Sequence, residues 1–138
     1  MTDSLIIIPT FNEKENIEKI IRKVFSLKKL FHILIVDDGS PDGTATIVKK
    51  LQSQFPNQLY IQERAGKLGL GTAYIHGFKW SLQREYQFIF EMDADFSHNP
   101  DDLIRLYKAN LLNGGELAIG SRYVKGVNIV NWPMSRLL

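Results

Sequence analysis

The chain has 138 residues, a length that suits one domain built around one buried core. Its 17 lysine and arginine residues against 15 aspartate and glutamate residues give a formal net charge of +2, and no run of like charges points to nucleic acid or to a polybasic lipid patch. The absence of cysteine excludes disulfides, thiolate zinc sites and cysteine nucleophiles, and it is compatible with a reducing cytosol.

Apolar runs alternate with helical patterns along the first half of the chain. Residues 5–8 predict a buried parallel strand that stops at Pro9, and a helix with an apolar stripe follows, for which Asn12 is the expected N-cap. Residues 33–36 predict a second strand, which ends at a segment rich in turn-forming residues. A second helix is marked by Ile47, Val48, Leu51 and Phe55, and residues 59–61 predict a third strand.

The second half continues the same alternation. We expect a third helix from Gly71 to about Arg84, a fourth strand at 88–92, a fourth helix at 100–112 capped by Asn99, and a fifth strand at 117–119. The pattern predicts an α/β fold over residues 1–138, a Rossmann-like and largely parallel sheet with helices on both faces. Because ligands bind beyond the carboxyl ends of such strands, one crevice should collect the polar loops at 9–13, 37–43, 64–71, 93–98 and 120–123.

Two carboxylates at the end of the fourth predicted strand are the most informative feature. Asp93 and Asp95 directly follow the apolar run at 88–90, so a rigid support presents them at the edge of the sheet. Carboxylates two residues apart can offer hard oxygen ligands to Mg²⁺ or Mn²⁺, and such an ion could bind a diphosphate. The alternative is an ordinary turn or helix-capping arrangement.

Other loops carry candidate ligand-binding residues. We expect one of Asp37 and Asp38 to be free to accept hydrogen bonds from a ribose or a base, with a local turn as the alternative. Arg64 and Lys67 stand among three glycines, a composition that could cradle phosphate or form a flexible loop. The spacing matches neither a P-loop nor a dinucleotide-binding motif.

Two further side chains have competing roles. Arg122, just past the fifth predicted strand, could bind phosphate oxygens with its planar guanidinium or be solvated. His98 could be a metal ligand or a base, although a structural hydrogen bond is the expected role for a histidine in this loop.

Five segments, in order and spacing, resemble the family 2 glycosyltransferases of the GT-A fold, and within them the dolichyl- or polyprenyl-phosphate mannosyltransferases. They are PTFNE at 9–13, DDGSPDGT at 37–44, KLGLGTA at 67–73, MDADFSH at 92–98 and GSRY at 120–123. Residues 69–77, together with the turn at 40–42, favour the mannosyltransferase branch.

The resemblance implies roles for the matching residues. Those expected around the nucleoside are Pro9, Phe11, Glu13, Val36 and Asp38. Those expected at the diphosphate and its Mg²⁺ or Mn²⁺ are Asp93, Ala94 and Asp95, with Arg122, and Lys67 from the glycine-rich loop, near phosphate. Some relatives carry glutamine where this chain has Ser97, so a third metal ligand there is doubtful.

The resemblance also implies an activity and a location. We expect inverting, metal-dependent transfer of mannose from GDP-mannose to dolichyl or polyprenyl phosphate, at the cytosolic face of a membrane. An acceptor phosphate is already an anion near pH 7 and needs no general base. No apolar run approaches the roughly 20 residues that span a bilayer, and the first residues lack the features of a signal peptide.

Three alternatives stay open at this point. The donor could be UDP-glucose or a UDP-N-acetylhexosamine, or the chain could be a non-catalytic nucleotide-sugar-binding module. A phosphatase of the haloacid dehalogenase type also carries an Asp-x-Asp, but on its first strand. The family continues beyond the segment that matches Trp132 and Arg136, so we expect an N-terminal fragment that transfers little sugar by itself.

Overall fold

A computed structural model describes residues 2–66, 68–112 and 128–131, with the side chains of 110, 112 and 128–131 left aside. In these ranges strands alternate with helices as predicted. The elements are β1 (Ser4–Thr10), α1 (Ile17–Phe25), β2 (His32–Asp37), α2 (Thr44–Gln52), β3 (Leu59–Glu63), α3 (Leu70–Ser81), β4 (Phe88–Glu91), α4 (Asp102–Leu112) and β5 (Asn128–Asn131). The fifth strand predicted at 117–119 lies outside the described residues.

The strands form one sheet in the order β3-β2-β1-β4-β5. The first four are parallel, and β5 runs antiparallel to β4. Strand order reverses between β1 and β4, because β2 lies on one side of β1 and β4 on the other. Open sheets of this kind bind ligands at that reversal, beyond the carboxyl ends of the strands.

Helices cover both faces of the sheet, which confirms the predicted architecture. Ile6, Ile8, Ile33 and Ile35 face one core, which also receives apolar side chains of α1, α2 and α4. The alternate strand residues face a second core under α3; they are Leu5, Ile7, Leu34, Val36 and Ile89. Since both sides of each strand are buried, the strands read as continuous apolar runs in the sequence.

The first strand continues through Pro9 to Thr10, so the predicted end at Pro9 is wrong. The carbonyl of Ile7 accepts the Met92 N–H at 3.1 Å, whereas the carbonyl of Thr10 accepts the Asp38 N–H at 3.0 Å. Successive residues of β1 bond alternately to β4 and to β2, so the backbone of Pro9, like that of Ile7, faces β4. The pairing of β4 with β1 has already ended at Glu91. No donor is required there, and a proline is tolerated.

The predicted N-cap of the first helix is also wrong. Helix α1 begins at Ile17 with Asn16 in the cap position and no side-chain cap hydrogen bond. Asn12 has a φ of +56°, and its N–H donates to Ser40 Oγ at 2.9 Å. The segment that precedes α1 is therefore tied to the loop after β2 instead of starting the helix.

Helix α3 lies unusually close to the sheet at Gly77. A Cβ atom at this position would lie 2.7 Å from Cγ2 and 2.8 Å from Cδ1 of Ile7, in the central strand β1. Only glycine allows this approach. Among the described helices, none is long and apolar enough to cross a membrane.

Candidate active site

A cavity of about 210 Å³ opens at the carboxyl ends of β1, β2 and β4. Seven of its lining residues are predicted site residues: Pro9, Phe11, Glu13, Asp38, Asp93, Ala94 and Asp95. The other four are Thr10, Gly69, Leu70 and Ala73, which had no individual role assigned, although the first three lie in the loops 9–13 and 64–71 that were expected at the crevice. The segments that follow β1, β2, β3 and β4 therefore meet at one cavity, as the parallel topology implied.

Three predicted site residues are not placed on this wall. Val36 is fully buried in the core under α3. Lys67 and Arg122 lie outside the described residues. Their predicted contacts with nucleoside and phosphate stay predictions.

Asp93 is held from two sides. The hydroxyl of Tyr74, on α3, donates to Asp93 Oδ1 at 3.1 Å. On the other side, His98 Nδ1 lies 3.5 Å from the Asp93 backbone N and His98 Nε2 lies 3.9 Å from Asp93 Oδ2. The side chain of His98 is only 13% exposed. His98 thus supports Asp93, in agreement with the structural role expected for it.

Asp95 is exposed and its carboxylate closes a small turn. Its Oδ1 accepts the Ser97 N–H at 2.9 Å, and hydrogen bonds from the side chain and backbone of Ser97 hold the pKa of Asp95 below its ordinary value. Ser97 therefore serves Asp95 as a hydrogen-bond donor. Asp95 is ionised at neutral pH and available to a cation.

Glu13 adds its carboxylate to those of Asp38, Asp93 and Asp95 in the cavity lining. Burial, and then the charges of Asp95, Asp42 and Asp93, raise the pKa of Glu13 against a hydrogen bond with Asn16 that lowers it. Like charges that converge on one cavity repel each other, and a bound cation would relieve that repulsion.

The donor set fits a divalent ion shared with a ligand. Among residues 2–66 and 68–112, no cluster of three or more acidic, histidine or cysteine side chains is arranged to hold a metal by itself. Mg²⁺ and Mn²⁺ prefer oxygen ligands, and Mg²⁺ is commonly bound by one or two carboxylates together with phosphate oxygens. Asp93 and Asp95 supply such carboxylates at the cavity wall.

Asp37 and Asp38 both have partners within the protein, so neither carboxylate is unpaired, and the predicted contact of one of them with a ribose or a base stays a prediction. Asp37 is buried and accepts hydrogen bonds from Thr10 Oγ1 at 2.7 Å and from Ser40 Oγ at 2.6 Å. Asp38 is paired with Arg64. Of the two, only Asp38 lines the cavity, whereas Asp37 fixes the turn to Ser40 that follows β2.

The chain matches known proteins over nearly its whole length. Residues 5–138 match the family model described as "Glycosyl transferase family 2". A polyprenol monophosphomannose synthase of Mycolicibacterium smegmatis is 48% identical over 135 residues, which cover 98% of this chain and 51% of that protein. A dolichol-phosphate mannosyltransferase of Pyrococcus furiosus is 40% identical, over 96% of this chain and 37% of that protein.

Solved structures show the same fold. The mannosyltransferase PcManGT from Pyrobaculum calidifontis, in complex with GDP-Man and Mn²⁺, superposes with a TM-score of 0.61 at 23% identity, over 67% of this chain and 27% of that one. S. aureus TarS 1-349 superposes with a TM-score of 0.67 at 20% identity, over 89% of this chain and 38% of that one.

These matches settle the family and exclude the dehalogenase-type phosphatase. The chain spans about half the length of the M. smegmatis relative, and less of the P. furiosus one. The structural neighbours confirm the GT-A fold that the motifs predicted. With the family model matched from residue 5 to residue 138, the chain belongs to glycosyl transferase family 2.

Proposed function

We propose that this chain forms the donor-binding part of an enzyme that transfers mannose from GDP-mannose to a polyprenyl or dolichyl phosphate. One observation carries the proposal: a single cavity joins Asp38 and Glu13 to the carboxylates Asp93 and Asp95. Relatives at 40% and 48% identity are named for mannose transfer to such lipids. A structural neighbour holds GDP-Man and Mn²⁺, which supports the nucleotide and the ion.

The lining residues differ in chemistry and in the strand that they follow. Pro9 and Phe11, at the end of β1, and Asp38, after β2, line the cavity and would meet the nucleoside. Asp93 and Asp95, after β4, line the same cavity and would hold the divalent ion against the diphosphate. When bound, that ion supplies Lewis-acid stabilisation of the charge that develops on the departing diphosphate.

The chain's own residues orient these groups. Tyr74 donates to Asp93 Oδ1, whereas His98 Nε2 comes no nearer to Oδ2 than 3.9 Å, which is beyond hydrogen-bond distance, so Oδ2 is the oxygen that we assign to the cation. Direct displacement by the acceptor would invert the anomeric centre, and a lipid phosphate attacks as an anion without a general base. Because the acceptor is a membrane lipid, we place the enzyme at the cytosolic face of a membrane.

Calorimetric titration of GDP in the presence of Mn²⁺ tests the metal assignment. We expect Asp95→Asn, and to a similar or lesser degree Asp93→Asn, to weaken GDP binding by about tenfold or more, because each variant removes one charged ligand. The same variants should bind GDP like the wild type when EDTA is present. Both should keep the thermal stability of the wild type to within a few degrees.

Asp101→Asn provides a matched control. Asp101 is 59% exposed and pairs with Lys23 at 3.2 Å, so its loss should leave Mn²⁺-dependent GDP binding unchanged. If both active-site variants bind GDP and Mn²⁺ as tightly as the wild type, the metal assignment fails. A parallel titration with UDP tests the donor, since the proposal requires GDP to bind more tightly.

A further inference from the structure

Arg64 holds Asp38 through two hydrogen bonds. Its Nε donates to Asp38 Oδ1 at 2.6 Å and its Nη2 donates to Asp38 Oδ2 at 2.9 Å. Both side chains are only 8% exposed. A bidentate pair of this kind fixes the plane of a carboxylate as well as its position.

The side chain and the backbone of Arg64 also connect three parts of the fold. Its Nη1 donates to Thr72 Oγ1 at 3.1 Å, in the first turn of α3, and its Nη2 lies 3.3 Å from the carbonyl oxygen of Gly69. The backbone N–H of Arg64 donates to the Asp37 carbonyl at 2.7 Å. Arg64 therefore joins the ends of β2 and β3 to the start of α3.

Hydrogen bonds from the described residues fill only part of the acceptor positions of Asp38. A carboxylate offers about four lone-pair positions, two on each oxygen. Asp38 Oδ2 uses two of them, for Arg64 Nη2 and for the Leu68 N–H at 3.2 Å. Asp38 Oδ1 uses one, for Arg64 Nε. Among the residues that the structure describes, no other group donates to Asp38, so one acceptor position on Oδ1 remains, on a residue that lines the cavity.

We propose that Arg64 is a positioning residue for nucleoside recognition, which aims the remaining acceptor of Asp38 at a donor group of the ligand. The donor would be a ribose hydroxyl or a base N–H. This inference rests on the proposed function, in which Asp38 faces the nucleoside. Four of the five N–H groups of the Arg64 guanidinium already donate to Asp38, Thr72 and Gly69, so we do not expect Arg64 to be the phosphate-binding cation that its glycine-rich loop suggested.

Lysine cannot replace arginine in this role. An ammonium is a point charge, and it cannot donate to both oxygens of Asp38 in a fixed plane while also reaching Thr72. Arg64→Lys should therefore preserve the buried charge pair but release the orientation of the carboxylate. Arg64→Gln removes the charge as well and leaves Asp38 unpaired in a buried position, so it should lower affinity further and also lower thermal stability.

The test is a double-mutant cycle on GDP affinity with Mn²⁺ held constant. We expect Asp38→Asn to weaken GDP binding by about tenfold or more and Arg64→Lys to weaken it by about tenfold. In the Asp38→Asn background, Arg64→Lys should cost less than about twofold, because the residue through which Arg64 acts is already altered. Arg22→Lys is the matched control, since Arg22 also pairs with a carboxylate, Glu18 at 2.8 Å on the surface of α1.

A second readout separates positioning from general damage to the fold. The affinity of Mn²⁺ in the presence of saturating inorganic diphosphate, followed by electron paramagnetic resonance, should be the same in Arg64→Lys and wild type, because the carboxylates after β4 are untouched. Thermal unfolding of every variant accompanies the titrations. If Arg64→Lys unfolds, Arg64→Gln takes its place in the cycle, both alone and in the Asp38→Asn background, where no unpaired charge is left.

The outcomes distinguish the two proposals. If Asp38→Asn binds GDP like the wild type, or the wild type binds no GDP, the nucleoside assignment of the proposed function fails, and this inference fails with it. If Asp38→Asn loses affinity but Arg64→Lys does not, the inference alone is refuted. It is also refuted if Arg64→Lys loses as much affinity in the Asp38→Asn background as in the wild type, or if it weakens Mn²⁺ binding equally.

Discussion

Gly77→Ala tests whether the close packing of α3 on β1 is what holds the cavity together. The new Cβ would lie 2.7 Å and 2.8 Å from two carbons of Ile7, a residue with no exposed surface in the central strand. Overpacking of this kind costs about 1–3 kcal/mol, and a position on the central strand suggests the upper end. The helix propensity of alanine is about 1 kcal/mol more favourable than that of glycine in a helix interior. The free energy of unfolding should therefore fall by a net amount of about 2 kcal/mol.

Urea denaturation and thermal unfolding measure this loss. For a domain of this size, about 2 kcal/mol corresponds to a fall in Tm of roughly 6–10 °C. GDP affinity should fall as well, because α3 also carries Ala73 and Leu70 of the cavity wall. Displacement of the helix would move both residues relative to the strand ends.

Gly71→Ala is the matched control in the same helix. Its Cβ would meet nothing within 4 Å, so only the helix propensity changes, and stability should rise by about 0.5 kcal/mol. A Gly77→Ala protein as stable as the wild type would refute the reasoning, since it would mean that β1 or α3 yields to the methyl group at no cost.

Two further predictions concern single hydrogen-bonded groups. Tyr74→Phe removes the hydroxyl that orients Asp93, so Mn²⁺ affinity measured by electron paramagnetic resonance should fall by about tenfold; an unchanged affinity would contradict this supporting role. Burial alone would raise the pKa of Asp3, but the value is lowered overall by hydrogen bonds from Ser4, Tyr107 and Lys29. Asp3 therefore stabilises the fold at neutral pH, and this contribution disappears as pH falls through its lowered pKa; Asp3→Asn should be less stable than the wild type in urea at pH 7, with the difference shrinking below about pH 4.

The sheet and its polar edge were predictable because they depend on local pattern and general topology. Continuous apolar runs mark strands that are buried on both faces, and parallel strands linked by helices must place their following loops at one edge. Asp93 and Asp95 could therefore be assigned to the cavity without coordinates. Ala73, which lies beyond the loop 64–71, could not, since the pattern of α3 does not reveal which strand ends its first turn approaches.

The partners of the polar side chains were not predictable for a different reason. Asp38 pairs with Arg64 and Asn12 bonds to Ser40, in each case across more than one element of secondary structure. Local rules predicted a free carboxylate and a helix cap at these positions. Tertiary contacts took precedence, because a buried carboxylate requires a partner and a backbone donor bonds to the nearest well-placed acceptor.

The strand order has a consequence for how the cavity is assembled during folding. Strands β1, β2 and β3 are neighbours in sequence and in space, so the nucleoside side, with Asp38 and Arg64, closes through short-range crossovers. The carboxylates after β4 join it only when Phe88 pairs with Ser4, two residues that are far apart in the sequence. Such a contact closes a longer loop, at a greater entropic cost. The wall with Asp38 and Arg64 can therefore form without the wall with Asp93 and Asp95. If β4 left the sheet, we expect the proposed nucleoside contact to be retained and the proposed metal site to be lost.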